Sequence, residues 1–175
     1  MTLYRAELRE LAAQALVGRT FAGEKVFTAR SWPTTKPELP VVYLQVPDDQ
    51  ATSNGRNAPD FTRVATLALR GIVAPGTPGK CQLQLEAFAE QIELALMTDV
   101  ALQSAITQVT EIRTSITVSS EGADHVGELQ MLLGLEYIEE FPAAGTPLVE
   151  IDGTMSANGN SDFADFSVNT LQETS

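Results

Sequence analysis

The chain has 175 residues, of which 43% are hydrophobic and 6% aromatic, and its formal net charge is −12. A chain of this length can bury one ordinary hydrophobic core, and its acidity argues against tight binding to nucleic acid, which requires a clustered basic face. Cys81 is the only cysteine, so an internal disulfide is excluded. No stretch approaches the roughly 20 apolar residues of a membrane helix, and the first residues lack a signal peptide's apolar run. We therefore expect a soluble protein made inside the cell.

Charge is distributed unevenly along the sequence. Residues 1–80 contain ten of the eleven Lys and Arg residues and seven acids, a net charge of +3. Residues 81–175 contain sixteen acids and one base, Arg113, a net charge of −15. A chain with a basic first half and an acidic second half is suited to head-to-tail contact with copies of itself. This pattern favours an assembly component over an enzyme.

The first predicted element is an amphipathic helix over residues 3–17, whose apolar residues recur at helical spacing. Gly18 is predicted to end it, because glycine adopts the left-handed cap conformation without penalty. A short strand is predicted over residues 25–30, and an extended proline-containing segment follows it. Trp32 lies in that segment, and we expect it either to cap the edge of the core or to anchor a subunit contact.

Two strands are predicted on either side of a polar segment. Residues 41–46 form a compact β-branched and aromatic run, and residues 61–73 place alternate side chains on opposite faces. Residues 48–59, between them, are turn formers and are predicted to be a functional or mobile loop. The candidate subunit or tube contacts in this part of the chain are Asp48, Asp49, Asn54, Arg56, Arg63 and Arg70.

One more helix and two more strands are predicted in the second half. Residues 83–97 have an apolar stripe at helical spacing, and residues 106–118 and 128–141 alternate as strands do. The turn between these strands, residues 119–127, is long and polar, which is typical of contact loops. Its candidate contact residues are Asp124 and His125.

The element order α-β-β-β-α-β-β predicts an α+β fold, in which a single mostly antiparallel or mixed sheet of four to five strands carries two helices on one face. We assign residues 1–142 to this core and residues 143–175 to an extended, acidic C-terminal arm. The arm has five acids and no bases, and it cannot build a core alone. Two interpretations stay open: a disordered tail, and an arm that orders against another surface such as a neighbouring copy. The apolar anchors of such an arm are Leu148, Ile151, Phe163 and Phe166.

No pattern of catalytic or cofactor-binding residues is complete. Residues 74–81 lie between a strand and a helix like a phosphate-binding loop, but Ala74 and Cys81 stand where that motif requires glycine and a hydroxyl. Three residues have the spacing of calcium ligands but lack the glycine and glutamate that complete such a loop: Asn158, Asn160 and Asp162. One histidine and one cysteine are too few for a zinc site within one subunit. The sequence predicts no catalytic residue, no cofactor and no metal, and we do not expect an enzyme.

Several segments together resemble a known family. The helix LRELAAQAL at residues 8–16 is followed by ELPVVYL at residues 38–44 and by a long strand. The helix LEAFAEQIELALM at residues 85–97 and the closing strand LLGLEYI at residues 132–138 complete the order. In order and spacing, residues 3–141 resemble the tail terminator proteins of long-tailed bacteriophages, the minor tail protein U type. The C-terminal arm departs from the compact core of that family.

The resemblance implies a structural virion protein that forms a ring of six copies on the finished tail tube. The ring would stop polymerisation of the tube protein and offer a docking surface to the head-completion, or neck, protein. DNA would pass through its lumen without specific binding, and no membrane would be involved. The protein would be made in the host cytoplasm and would reside in the virion at the head-proximal end of the tail.

Two alternatives stay open. A tail-tube or head–tail connector subunit belongs to the same class, whereas a monomeric ligand-binding domain with a concave apolar pocket belongs to another. In a ring, two different faces of one subunit must complement each other. We expect Arg56, Arg63 and Arg70 to meet acidic neighbours there, and we expect an acidic inner wall along which DNA slides.

Overall fold

The computed structural model of the protein describes residues 3–28, 39–56, 60–119, 126–141, 150–158 and 160–169. The chain divides into two compact units, Met1–Phe141 and Pro142–Ser175. The helices of the described residues are α1 (Tyr4–Leu16), α2 (Pro78–Met97) and α3 (Val100–Ser104). The strands are β1 (Val26–Thr28), β2 (Val41–Ser53), β3 (Asp60–Val73), β4 (Gln108–Ser119), β5 (Val126–Glu140), β6 (Glu150–Ala157) and β7 (Asn160–Asn169).

Five strands of the first unit form one mixed sheet in the order β1-β2-β3-β5-β4. β1 runs parallel to β2, and the other neighbouring strands run antiparallel. β3 is the central strand, and it lies between β2, its neighbour in sequence, and β5, which comes much later in the chain. Helices α1 and α2 contact each other and pack on one face of the sheet. The α+β fold class predicted from the sequence is confirmed.

The two long helices bury the apolar stripes that the sequence predicts. In α1 these residues are Leu8, Ala12, Ala15 and Leu16, and in α2 they include Leu85, Phe88 and Ile92. Gly18 follows α1 with φ +70°, the left-handed conformation expected at a helix end. α2 begins at Pro78, five residues earlier than predicted, because proline suits the first turn of a helix. Cys81 therefore lies in that first turn, where it is fully buried in the core.

The sheet has two contrasting faces, which we call the covered face and the bare face. The covered face carries the buried side chains of β3 and β5, and these pack against α1 and α2: Ala65, Leu67, Leu69, Leu129, Met131, Leu133 and Leu135. The alternate residues of the same strands point to the bare face, where no helix of the described residues packs. Residues of the bare face include Thr66, Ala68, Arg70, Gln130 and Leu132.

A β-bulge interrupts the alternation of β2. Gln45 pairs with Ala68 and Asp48 pairs with Thr66, so three steps along β2 match two steps along β3. The extra residue falls next to Pro47, which suits a bulge because it has no N–H to donate to a ladder. Beyond the bulge, Asp49 faces the covered side of the sheet and Asp48 faces the bare side.

The structure corrects the prediction of a loop over residues 48–59. Residues 48–53 continue β2 and pair with residues 61–66 of β3. The polar, turn-forming side chains of residues 48–53 do not predict a strand from the sequence. In the structure, hydrogen-bonded pairing with β3 outweighs the low strand propensity of Asp, Gln and Ser. Residues 50–53, at the end of this extension, are exposed.

The second unit contains β6 and β7, which pair antiparallel as a two-stranded sheet. Ile151 pairs with Val168, and Gly153 pairs with Phe166. Neither interpretation of the C-terminal arm included this hairpin, because its small polar residues obscure the alternation by which a strand is recognised.

Candidate functional site

The predicted contact residues fall in several places. Trp32, Asp124, His125 and Leu148 lie outside the described residues, and only the backbone is described for Ile151, Phe163 and Phe166. The other six lie in the first unit: Asp49 and Arg63 on the covered face, Arg70 on the bare face, and Asp48, Asn54 and Arg56 in β2 and the turn that follows it. Of these six described residues, Asp49 and Arg63 are the two that form an ion pair with each other.

Asp49 is the buried centre of a charge cluster whose other members are partly exposed. Its side chain is 3% exposed, and its Oδ2 accepts hydrogen bonds from Arg63 Nη1 at 3.0 Å, the Tyr137 hydroxyl at 3.2 Å and Arg5 Nη1 at 3.4 Å. A carboxylate is costly to bury unless charged or polar donors surround it, and these three donors supply that environment. The second oxygen, Oδ1, has no hydrogen-bond partner among the described residues.

The cluster joins four elements: β2 supplies Asp49, α1 supplies Arg5, β3 supplies Arg63, and β5 supplies Tyr137. The Nε of Arg63 also forms an ion pair with the carboxylate of Glu139. The rings of Tyr4 and Tyr137 lie 4.8 Å apart, so the aromatic contact continues the link from α1 to β5. Burial, together with the nearby charge of Asp49, raises the pKa of Tyr137 to about 12. The phenol is therefore neutral at physiological pH, and its O–H donates a hydrogen bond to Asp49.

A simpler ion pair lies on the bare face. Arg70 Nη2 donates to Glu128 Oε2 at 2.6 Å, and Gln130 Nε2 donates to the other oxygen of Glu128 at 2.8 Å. The hydrogen bond from Arg70 lowers the pKa of Glu128, and Glu128 in turn raises the pKa of Arg70. The Arg70 side chain is 54% exposed. Beside it, a depression of about 270 Å³ is lined by Tyr43, Ala68 and Leu132 among others.

The bare face is acidic overall. The strand registers place six described acids on it and two described bases, Arg70 and Arg113, which gives a net charge of −4. The six acids are Asp48, Asp60, Glu111, Glu128, Glu136 and Glu140. Apolar groups lie between these charges in the middle of the face, so the surface combines an acidic field with a half-buried apolar floor.

At both lateral edges of the sheet, some strand residues have no partner strand among the described residues on their outer side. Among the described residues, β4 pairs with β5 alone, and its residues 110–115 are exposed. β1 pairs with residues 42–44 of β2, so residues 48–53 of β2 have β3 as their one described neighbour. Arg113 on β4 and Asp48 on β2 form no ion pair within the described part of the chain. An open strand edge is a template for pairing with another strand.

The turn after β2 holds the remaining predicted residues. Asn54 accepts a hydrogen bond from Thr62 Oγ1 at 2.9 Å, which fixes the start of the turn against β3. Arg56 is exposed, and no ion pair to it is found between described residues. Arg63 and Arg70 differ from Arg56 because acids of β5 engage both of them within the chain.

Sequence reasoning missed the partners that complete these clusters. The alternation of residues 128–141 does not distinguish Tyr137 from its apolar neighbours. Glu128 and Glu139 carry no signal in the sequence, because only the pairing of β3 with β5 brings them near arginine. The helical pattern of residues 3–17 does not predict a partner for Arg5, and it is the extension of β2 that brings Asp49 to it. Arg113 did carry a signal, since it is the one base after residue 80 and stands within a β-branched strand.

Within the described ranges, no group of three or more His, Cys, Asp or Glu side chains is arranged to hold a metal ion. None of the described helices combines the length and apolar composition needed to cross a bilayer. Comparison with models of known protein families gives no match. A search of curated proteins also gives none.

Proposed function

We propose that the protein is a structural subunit of a phage tail, and that it forms a ring of the tail terminator type. In this role the ring, of six copies, caps the tail tube, stops its polymerisation, and offers a docking surface to a head-completion or neck protein. The proposal starts from the resemblance over residues 3–141, and the small α+β core of one sheet and two helices is the architecture that the resemblance implies.

The observation that carries the proposal is the bare face of the sheet. A globular subunit usually packs both sides of a five-stranded sheet or makes the open side uniformly polar. Among the described residues, the bare face combines apolar groups with a net charge of −4. Such a face supports a role as the inner wall of a ring, because an acidic surface repels DNA phosphates and lets the duplex pass without adhering.

Tube growth in vitro tests the proposal. Tail-tube protein is allowed to polymerise with and without a substoichiometric amount of this protein, and tube lengths are measured by electron microscopy. We expect shorter tubes, each with a ring-shaped density of this protein at one end. Unchanged tube lengths, or binding along the whole tube, would contradict a terminator and would favour a tube or connector subunit.

A charge variant tests the acidic wall separately. Glu111→Lys with Glu136→Lys brings the bare face from −4 to neutral, and we expect capped tubes carrying this variant to retain DNA at low salt. Glu86→Lys with Glu90→Lys makes the same change on the exposed side of α2, and it serves as the matched control. Equal DNA retention by both variants would show that the bare face does not line the lumen.

A further inference from the structure

Strand β4 ends the sheet on one side, and its outer edge is exposed. Among the described residues β4 pairs with β5 alone, and its residues 110–115 are exposed. An exposed strand edge of this length recruits other strands unless something covers it. Its two charged residues, Glu111 and Arg113, lie on the bare face, and neither forms an ion pair with another described residue.

The backbone groups on this edge belong to residues whose side chains lie on the covered face. In β5 the carbonyl oxygens of Gly134 and Glu136 accept hydrogen bonds from the β4 side, at 3.3 Å and 2.7 Å. In an antiparallel ladder, residues that directly face each other and exchange hydrogen bonds alternate with residues that do not. Glu111 pairs with Gly134, so its backbone groups point to β5. The backbone groups of Ile112 and Thr114 therefore point outward.

We infer that β4 pairs antiparallel with β4 of a second copy, about a two-fold axis that passes through the pair of Ile112 residues. In this register Glu111 of each copy lies opposite Arg113 of the other, so the contact contains two Glu–Arg pairs. Opposite charges on directly facing residues stabilise an antiparallel pair. Both pairs fall at positions without hydrogen bonds between the two β4 strands, where facing side chains lie closer together.

Charge selects this register from its neighbours. An axis through Glu111 would set that residue against its own copy, and an axis through Arg113 would do the same for the arginine. Like charges that directly face each other destabilise the pair. An axis through Thr114 would place Arg113 opposite Ser115, which has no charge. The axis through Ile112 is the register that opposes acid to base twice.

The contact also covers apolar surface. Ile112 is 42% exposed, although its side chain lies on the covered face, because β4 is the last strand of the sheet. An axis perpendicular to the sheet keeps the covered faces of both copies on one side, so the two isoleucines meet there and remove apolar surface from water. The joined sheet would contain ten strands, five from each copy.

This contact goes beyond the proposed ring. Neighbouring copies in a six-membered ring are not related by a two-fold axis, so the paired β4 strands belong to the protein before it assembles. In that form each copy covers the edge of the other, and the edge is protected from pairing with unrelated strands.

Cysteine cross-linking tests the contact on the full chain. Glu111→Cys and Arg113→Cys are made as separate variants, and each is oxidised mildly, alone and in an equimolar mixture. In the inferred register the Cα atoms of residues 111 and 113 of different copies lie about 4.5 Å apart, which a disulfide spans. We expect a covalent dimer in the mixture and little in either variant alone. Absence of the dimer from the mixture, or as much dimer in one variant alone, would overturn the inference.

Two controls separate this contact from random collision. Thr117→Cys places a cysteine on the same strand and face, where the side chain is also exposed. In the inferred register the two copies of residue 117 lie ten residues apart along the strands, about 33 Å, so this variant should stay monomeric. Cross-linking of Thr117→Cys as complete as that of the mixture would overturn the inference. The wild-type chain should not cross-link, because Cys81 is fully buried.

Charge reversal gives a second measurement that does not use disulfides. We expect Arg113→Glu or Glu111→Arg alone to weaken dimerisation about tenfold in sedimentation equilibrium, because each sets like charges against each other at both pairs, and the double reversal to restore it. Equal dimerisation of all four proteins would overturn the inference. Capping of tail tubes by a protein that fails both tests would leave the proposed function standing and remove this contact. The dimer without any effect on tube length would do the reverse.

Discussion

Arg63 and Arg70 lie on one strand, seven residues apart, yet they occupy opposite environments. Arg63 faces the covered side, where a 3%-exposed carboxylate, a tyrosine and a second acid surround it. Arg70 faces the bare side, is 54% exposed, and has one acidic partner. An ion pair between exposed groups contributes little, whereas removal of the partner of a buried charge leaves that charge with fewer donors and without water to replace the lost one. We therefore expect Arg63 to contribute to the stability of the fold, whereas Arg70 contributes mainly to the charge of the protein surface.

Replacement of Arg63 should have the largest effect. In Arg63→Met the apolar stem is kept and Asp49 loses its closest cation, so we expect the free energy of unfolding to fall by about 2–3 kcal/mol, as urea titration measures it. The double variant Arg63→Met with Asp49→Asn should recover part of the lost free energy of unfolding, because the buried negative charge at residue 49 is then removed. A loss below about 0.5 kcal/mol in Arg63→Met would show that the cluster is a surface feature like Arg70.

Gly134 shows that part of the bare face is tightly packed. A Cβ at this position would collide with Thr110 Oγ1, which lies at a bulge in β4, and would come within 3.3 Å of Val64 Cγ1. We expect Gly134→Ala to cost about 1–2 kcal/mol in the same urea titration. Thr110→Ala in the same chain should relieve most of this cost. If the double variant is no more stable than Gly134→Ala alone, the strain lies in the backbone and not at the Thr110 hydroxyl.

The hydroxyl of Tyr137, in the charge cluster around Asp49, makes the free energy of unfolding depend on pH. Its pKa is about 12 in the folded protein and about 10 in an unfolded chain, so the folded state holds this proton more tightly. The stabilisation is complete below pH 10 and is lost as the pH rises from 10 to 12. We expect a loss of about 1 kcal/mol between pH 9 and pH 11, measured by urea titration at each pH. Tyr137→Phe should lack this component, and an identical slope in both proteins would assign it to other groups.

Replacement of Arg70 should have the smallest effect. Arg70→Met removes a single exposed pair, and we expect a loss of at most about 0.5 kcal/mol in the urea titration. Glu128 has a lowered pKa, so its pairing stabilises the fold at neutral pH and this contribution is lost as the pH falls through the folded pKa. High salt should reduce the small difference between wild type and variant further. A loss above about 2 kcal/mol would mean that the bare face is shielded from solvent.

The sequence predicted elements well where side chains alternate against a core. The stripes of α1 and α2 and the alternation of β3 and β5 follow directly from burial on one face, and all four elements were located. The polar composition of residues 48–53 predicts a loop. These residues form a strand because they pair with β3, which the composition does not reveal. α3 has five residues, too few for a helical period, although Asp99 caps it through a 2.9 Å hydrogen bond from Leu102 N.

The candidate sites depended on strand order, which one sequence does not show. The separation of basic and acidic halves predicted contacts between copies for Arg56, Arg63 and Arg70. Because β3 and β5 are neighbours in the sheet, Arg63 and Arg70 have acidic partners within the chain, Glu139 and Glu128, and the contacts between copies stay a prediction. Separation along a sequence does not imply separation in space, and the charges that stay unpaired are the better guide to contacts.

The position of β3 between β2 and β5 also has a consequence for synthesis. A ribosome completes β3 at Val73, but the strand that will occupy its second edge begins at Val126. At about 5–20 residues per second, the nascent half-sheet waits about 3–10 s with that edge unpaired. During this interval residues 74–125 add two bases and seven acids, so the net charge of the nascent chain changes from +2 to −3. Protection of this intermediate from premature strand pairing is thus a requirement that the topology imposes on the cell.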